Sequence, residues 1–173
     1  MIPLDLPALT ERSEAVVSGT VTQTVPRWTP DHGAIHTDVT LHITRVLTGS
    51  YGVGEDIVIR REGGSLDGVG MKIFGAPSFS KGDEVAVFLE HRGAHLYVVG
   101  MAQGKLDLVI DGTKRLERDL SEVSYTRSPT PTEQTLSSSP TGKTASAPAR
   151  IDTLTQLETE VRRLVAARKK LGK

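Results

Sequence analysis

The chain has no cysteine among its 173 residues, which removes disulfides, thiolate metal ligands and a cysteine nucleophile together. It also has no asparagine, so it contains no N-glycosylation sequon. Aromatic residues make up only 4%, leaving little of the stacking surface that single-stranded nucleic-acid binders use. No apolar run approaches the roughly 20 residues that span a bilayer, and Met1-Ile2-Pro3-Leu4 has neither the basic start nor the apolar stretch of a secretory leader. The formal net charge is zero, but its halves differ: residues 1–110 hold 9 Lys/Arg against 13 Asp/Glu, and residues 111–173 hold 12 against 8.

What is present falls into three regimes. Residues 14–110 alternate apolar and polar side chains with the period of a strand, residues 126–150 have no core-forming pattern, and residues 152–171 repeat like a helix. In the first long run Ala15, Val17, Val21 and Val25 define one face, with Ser and Thr mainly on the other. Ile35, Thr37, Val39, Leu41 and Ile43 repeat the pattern opposite His36, Asp38, Thr40 and His42. With the connection from Pro26 to Gly33, the two runs predict a long antiparallel hairpin.

Shorter strands are expected at Asp56–Arg61, Val69–Phe74, Glu84–Glu90, His95–Gly100 and Leu106–Ile110, separated by Gly-rich or charged turns. Long early strands that bend and twist can bury the core of one sheet closed on itself. The expected fold is therefore mainly β, a small antiparallel OB-like barrel over residues 14–124, with an immunoglobulin-like sandwich as the alternative. Residues 1–13 are an N-terminal segment, 125–150 a linker, and 151–173 a basic amphipathic helix. Residues 127–150 hold ten Ser/Thr and four Pro with almost nothing apolar, a composition that cannot offset the entropy of ordering and implies disorder.

Thr153 with Gln156 matches a capping box at the start of that helix. Leu154, Leu157, Val161, Leu164 and Leu171 form its apolar stripe, and acids at its start and bases at its end match the helix dipole. Fewer than three heptads are present, and Arg168 takes the position seven after Val161, so the helix needs another surface. Three surfaces qualify: its own barrel, a protein partner or second copy, and an anionic membrane met peripherally.

Several arrangements invite chemistry. His36, Asp38 and His42 share a polar strand face, but His36 and His42 are about 20 Å apart along an extended strand, which leaves His36 and Asp38 as the only metal candidates. Asp31, His32, His91 and His95 read as loop residues. No Gly-x-Ser-x-Gly elbow occurs. Gly142-Lys143-Thr144 lacks the glycine of a phosphate loop because Ser137 stands there, and Gly68-Val69-Gly70 lacks the βαβ context of a dinucleotide site. No cofactor and no catalytic set are expected. Phe74 and Phe88 sit in apolar strand contexts and are expected in the core. Trp28 between Pro26 and Pro30, and Phe79 after Pro77, are candidate partner anchors; the other reading of each is that it folds back to cap the barrel.

Ala15-Val16-Val17-Ser18-Gly19-Thr20-Val21, Thr40-Leu41-His42-Ile43-Thr44-Arg45-Val46-Leu47-Thr48-Gly49, Ile57-Val58-Ile59 and Lys81-Gly82-Asp83-Glu84-Val85-Ala86-Val87-Phe88-Leu89 together resemble the netrin-like module. That module includes the tissue inhibitors of metalloproteinases. Gly75-Ala76-Pro77-Ser78-Phe79-Ser80-Lys81-Gly82 and Gly100-Met101-Ala102-Gln103-Gly104-Lys105 are closer to uncharacterised bacterial extracytoplasmic proteins with similar barrels. The resemblance covers residues 11–110 and implies an OB-type five-stranded barrel. The inhibitors place an N-terminal cysteine on the protease zinc, and this chain has no residue to match it.

The sequence thus points to a non-enzymatic protein-binding or assembly module, with regulation of a metalloprotease and a small metal-dependent hydrolase as alternatives. Nucleic acid is disfavoured by the acidic barrel. The compartment expected from the resemblance is extracytoplasmic if a leader was removed, and otherwise cytoplasmic. Candidate contact residues are Trp28, Phe79, Leu154, Leu157, Val161, Leu164 and Arg168.

Overall fold

The computed structural model describes residues 3–111, 113–120 and 151–171. A short helix, α1 (Leu6–Arg12), precedes the strands. Asp5 caps it by accepting a 2.9 Å hydrogen bond from the Ala8 N–H, with Pro7 in its first turn. Seven residues are too few to show a helical period, so the sequence exposed only that cap.

Strands β1 (Ala15–Trp28) and β2 (Ile35–Thr48) form the expected hairpin. Three register shifts interrupt their pairing, the last between Val21 and Gln23. Val21 faces Leu41, but beyond that bulge Thr24 faces Val39 and Val25 faces Asp38. One extra residue reverses the alternation, so Val25 leaves the inward face that the sequence assigned to it. Gly19 sits where the two strands come closest: a Cβ there would lie 2.2 Å from the His42 carbonyl oxygen.

The remaining strands are β3 (Asp56–Glu62), β4 (Gly64–Leu66), β5 (Val69–Met71), β6 (Glu84–Arg92), β7 (His95–Val98), β8 (Lys105–Asp111) and β9 (Thr113–Glu117). Five of them close a ring in the order β1-β2-β3-β7-β6, with β6 returning to β1. All ring pairs are antiparallel except β3 with β7, where Ile59 and Leu96 meet in parallel. The fold is an OB-like barrel, and closure of one sheet rules out the sandwich. β8 and β9 extend the sheet from β6, while β4 and β5 form a separate two-stranded ribbon.

Two apolar cores follow from this wall. Val17, Val21, Leu41, Ile59, Val87 and Leu89 belong to the barrel interior. Val16, Ala86 and Phe88 belong to a second core with Leu9 of α1. Phe88 is thus in a core, as expected, but not in the barrel interior. The uninterrupted run Val85–Leu89 is explained by burial on both faces, which removes the polar side of a strand.

The second core also contains Leu157 and Val161 of the terminal helix, α2 (Leu154–Leu171). Its capping box forms in both directions: Gln156 Oε1 accepts from the Asp152 and Thr153 N–H groups at 2.9 and 3.2 Å, and Thr153 Oγ1 accepts from the Gln156 N–H at 3.3 Å. Glu158 pairs with Arg45 at 3.2 Å, and the Leu116 N–H donates to the Asp152 carbonyl at 2.9 Å. Of the three surfaces open to this helix, its own barrel is the one it occupies. The expected linker, residues 125–150, lies outside the described residues.

Candidate functional site

Of the candidate contact residues, Trp28 meets the ribbon β4–β5 and Phe79 lies in the loop that follows it, while the other five are on α2. Asp67 and Gly68, both at positive φ (53° and 78°), make the ribbon's turn. An Asp-Gly pair is a strong signal for a two-residue hairpin, and it marks the ribbon in the sequence. The reading of Val69–Phe74 as one strand passed over it: the strand ends at Met71.

The ribbon is held against the hairpin β1–β2. Thr37 Oγ1 donates to the Gly63 carbonyl at 2.7 Å, and the Gly63 N–H donates to the Ile35 carbonyl at 2.8 Å. A Cβ on Gly64 would sit 2.6 Å from Thr37 Oγ1 and 3.4 Å from the Pro26 Cβ. Trp28 completes the attachment: its Nε1–H donates to Asp67 Oδ2 at 3.0 Å, and its ring lies 5.8 Å from His32, centroid to centroid. Trp28 is half-buried, and its polar atom is engaged in fixing the ribbon's turn.

The two phenylalanines of the following loop differ in position. Phe74, expected in the core, is 77% exposed, with Val69 at 46% and Ile73 exposed beside it. Phe79, a candidate anchor, packs against the barrel interior with the buried Lys105 ammonium 5.2 Å from its ring centroid. The strand ends three residues before Phe74, so the pleat no longer sets the direction of its side chain. Lys72 lies 5.8 Å from the Phe74 ring centroid, within cation–π range.

Between ribbon, loop and wall lies a cleft of about 510 Å³, lined by Arg61, Ser65, Gly70, Met71, Ser78 and Asp119 among others. Arg61 is half-buried and donates from Nη1 to the Pro77 carbonyl at 3.3 Å. Burial lowers its guanidinium pKa from the ordinary arginine value. Among the described residues it forms no ion pair.

A second arrangement surrounds Asp38 on the outer face of β2 and β3. Its carboxylate accepts from Arg60 at 2.9 and 3.4 Å and lies 3.3 Å from Arg27 Nε. His36 is only 7% exposed, and among the described residues its Nε2 has no hydrogen-bond partner, standing 3.9 Å from Asp38 Oδ1. The structure thus brings His36 and Asp38 together, but a cation on that carboxylate would meet two guanidinium groups. Among the described residues, no group of three or more His, Asp or Glu is placed to hold a metal. His42 pairs instead with Asp56 at 2.7 Å, and His91 with Glu14 at 3.0 Å. A cavity of about 240 Å³ beside Asp38 is lined by Tyr51, Arg60, His91 and His95.

Burial, and secondarily Arg60, lowers the pKa of His36 below its usual value, so the folded protein binds this proton less readily than the unfolded chain. Below the unfolded value of about 6.5 the unfolded state holds the extra proton, and stability falls as pH falls. Urea midpoints measured at pH 7.5 and 5.5 are expected to drop more for the native protein than for His36→Gln. Equal drops would show that His36 does not contribute to acid sensitivity.

The helix candidates divide. Leu157 and Val161 are buried in the second core, Leu154 is partly buried against it, and Leu164 lines a groove between α1 and α2. Arg168 is exposed and donates from Nη1 to the Glu11 carbonyl at 3.1 Å. In this docked position Leu154, Leu157, Val161 and Leu164 face the chain itself.

No family model matches the chain, and no curated protein matches it significantly.

Proposed function

We propose that this chain is a protein-binding module in which the barrel is the scaffold and the ribbon β4–β5 with its following loop is the contact surface. The observation that carries this reading is Phe74, an aromatic side chain 77% exposed beside Val69 and Ile73. Contiguous exposed apolar residues rimmed by polar ones mark interaction sites, and aromatics at their centre dominate contact energy. The attachment by Trp28, Thr37 and Gly63 adds support, because a fixed surface loses less entropy on binding. Enclosure of Leu157 and Val161 in the chain's own core favours the barrel side over the helix stripe.

Crosslinking capture from native extract, including envelope fractions, tests this with the full chain and with Phe74→Ala. A partner captured by the native chain and lost with Phe74→Ala is the expected result; a partner retained equally moves the contact elsewhere. Phe74→Ala is expected to change stability by less than about 0.5 kcal/mol, so the comparison separates contact from folding.

Regulation of a metalloprotease is the second reading, favoured by agreement between the five-strand ring and the barrel that a netrin-like module implies. It expects the folded chain to slow at least one member of a panel of zinc proteases. Full activity across that panel at micromolar protein would set it aside.

A further inference from the structure

We propose that the cleft beside β5 receives an extended segment of a partner protein, which pairs with the outer edge of β5, places one carboxylate on Arg61 and sets a bulky apolar side chain against Ile73 and Phe74. This rests on the reading of the ribbon as a protein-contact surface and names the chemistry of what it contacts.

Three independent features meet at this place. The first is a strand edge. Among the described residues β5 pairs only with β4, through Gly64–Met71, Ser65–Gly70 and Leu66–Val69, so its other side offers backbone donors and acceptors to an added strand, with alternate side chains supplying specificity. Gly70, in the middle of β5, lines the cleft and presents no side chain there to obstruct a second backbone.

The second is charge. Among the described residues the half-buried Arg61 guanidinium donates only to a backbone carbonyl, so it has lost water without gaining an anion, and that cost is recovered when a carboxylate meets its planar fork. Ser65 and Ser78 line the same cleft and supply hydroxyl donors. Lys72 and Asp119 also line it with opposite charges, so Arg61 supplies the cleft's uncompensated charge, which matches a single carboxylate rather than nucleic acid or a phosphate cluster.

The third is apolar surface at the mouth. Ile73 lines the cleft, and Val69 and Phe74, each next in the chain to a lining residue, are exposed with it, so an occupant with an acid and a neighbouring aromatic or aliphatic residue satisfies both at once. A cleft of about 510 Å³ lies within the range of roughly 300–1,000 Å³ typical of built ligand sites.

The test is to pan a phage library of random linear twelve-residue peptides against the full chain, then measure affinities of the enriched peptides by titration and map their contacts by amide chemical shifts. Enriched sequences are expected to combine Asp or Glu with a nearby aromatic or aliphatic residue and to shift the amides of Val69–Ile73. Arg61→Gln and Phe74→Ala are each expected to weaken them about tenfold or more. Arg61→Lys, which keeps the charge without the fork, is expected to restore only part of the loss. If Arg61→Gln fails to fold, Phe74→Ala and an acid-to-amide change in the peptide still decide the matter.

Peptides that bind both variants as well as the native chain overturn this inference and leave the protein-binding reading standing. No enrichment, together with a crosslinked partner lost on Phe74→Ala, means that a folded surface rather than an extended segment is recognised, and also overturns it. No enrichment and no crosslinked partner remove both.

Discussion

Replacing Leu157 by alanine is expected to lower the free energy of unfolding by about 2–5 kcal/mol, the cost of emptying a fully buried leucine site. Leu157 and Val161 are the residues of α2 fully enclosed in the outer core, and that core includes Val16, Ala86 and Phe88 of the barrel wall. Loss of the leucine therefore weakens both the hold on the helix and the second core that it shares with α1 and the barrel wall. Urea titration followed by circular dichroism gives the stability, and binding of a dye specific for apolar surface gives the exposure. A change below about 0.5 kcal/mol, typical of surface substitutions, would mean that α2 is not docked on the barrel in solution.

Gly64→Val is expected to release the ribbon β4–β5 from the barrel. Gly64 has φ +153°, and an added Cβ would lie 2.6 Å from Thr37 Oγ1 and 3.2 Å from Ile35 Cγ2. A side chain in a sparsely populated backbone region costs about 1–3 kcal/mol, and the overlap with Thr37 adds to it. Because the ribbon pairs with no other strand among the described residues, the energy is released by moving the ribbon while the ring stays closed. Hydrogen exchange of residues 64–71 is expected to accelerate by at least about tenfold, with exchange in β1 and β6 little changed. Capture of a partner at Phe74 should fall with it. Unchanged exchange at the ribbon would show that the Thr37 contact does not hold it.

The two substitutions act on different parts of one design. α2 packs on α1 and on the outside of the wall at β2, sharing the second core with Val16, Ala86 and Phe88, and the ribbon lies against β1 and β2. Phe74 stands on the ribbon's side, away from the second core. A partner bound there meets a surface whose position depends on Trp28, Thr37 and Gly64, while α2 sets the stability of the scaffold beneath.

Much of the scaffold was legible in the chain itself because its signals are local. Alternation in Ile35–Ile43 specifies a strand and its buried face, and Thr153 with Gln156 specifies where α2 begins. The candidate site was less legible. Asp67-Gly68 marked the ribbon, but Phe74 stood in an apolar stretch indistinguishable by pattern from a core strand. Trp28 and Phe79 were identified as unusual aromatics, yet only their neighbours, Asp67 for one and Lys105 for the other, define their roles. Arg61 gave no sequence signal, since the burial that makes it noteworthy is created by the loop containing Pro77.

The sequence by itself determined the element types, the long hairpin, the capped helix and, through the unbroken apolar run Val85–Leu89, the need for a strand covered on both faces. These depend on period and caps, which act over a few residues. Only the tertiary structure decided that β3 meets β7 in parallel to close the ring, that a bulge after Val21 turns Val25 outward, that α2 packs on its own barrel, and that Phe74 rather than Phe79 faces solvent. Each of those outcomes depends on which distant surfaces meet, and contacts between residues far apart in sequence are selected by the packing of the whole chain.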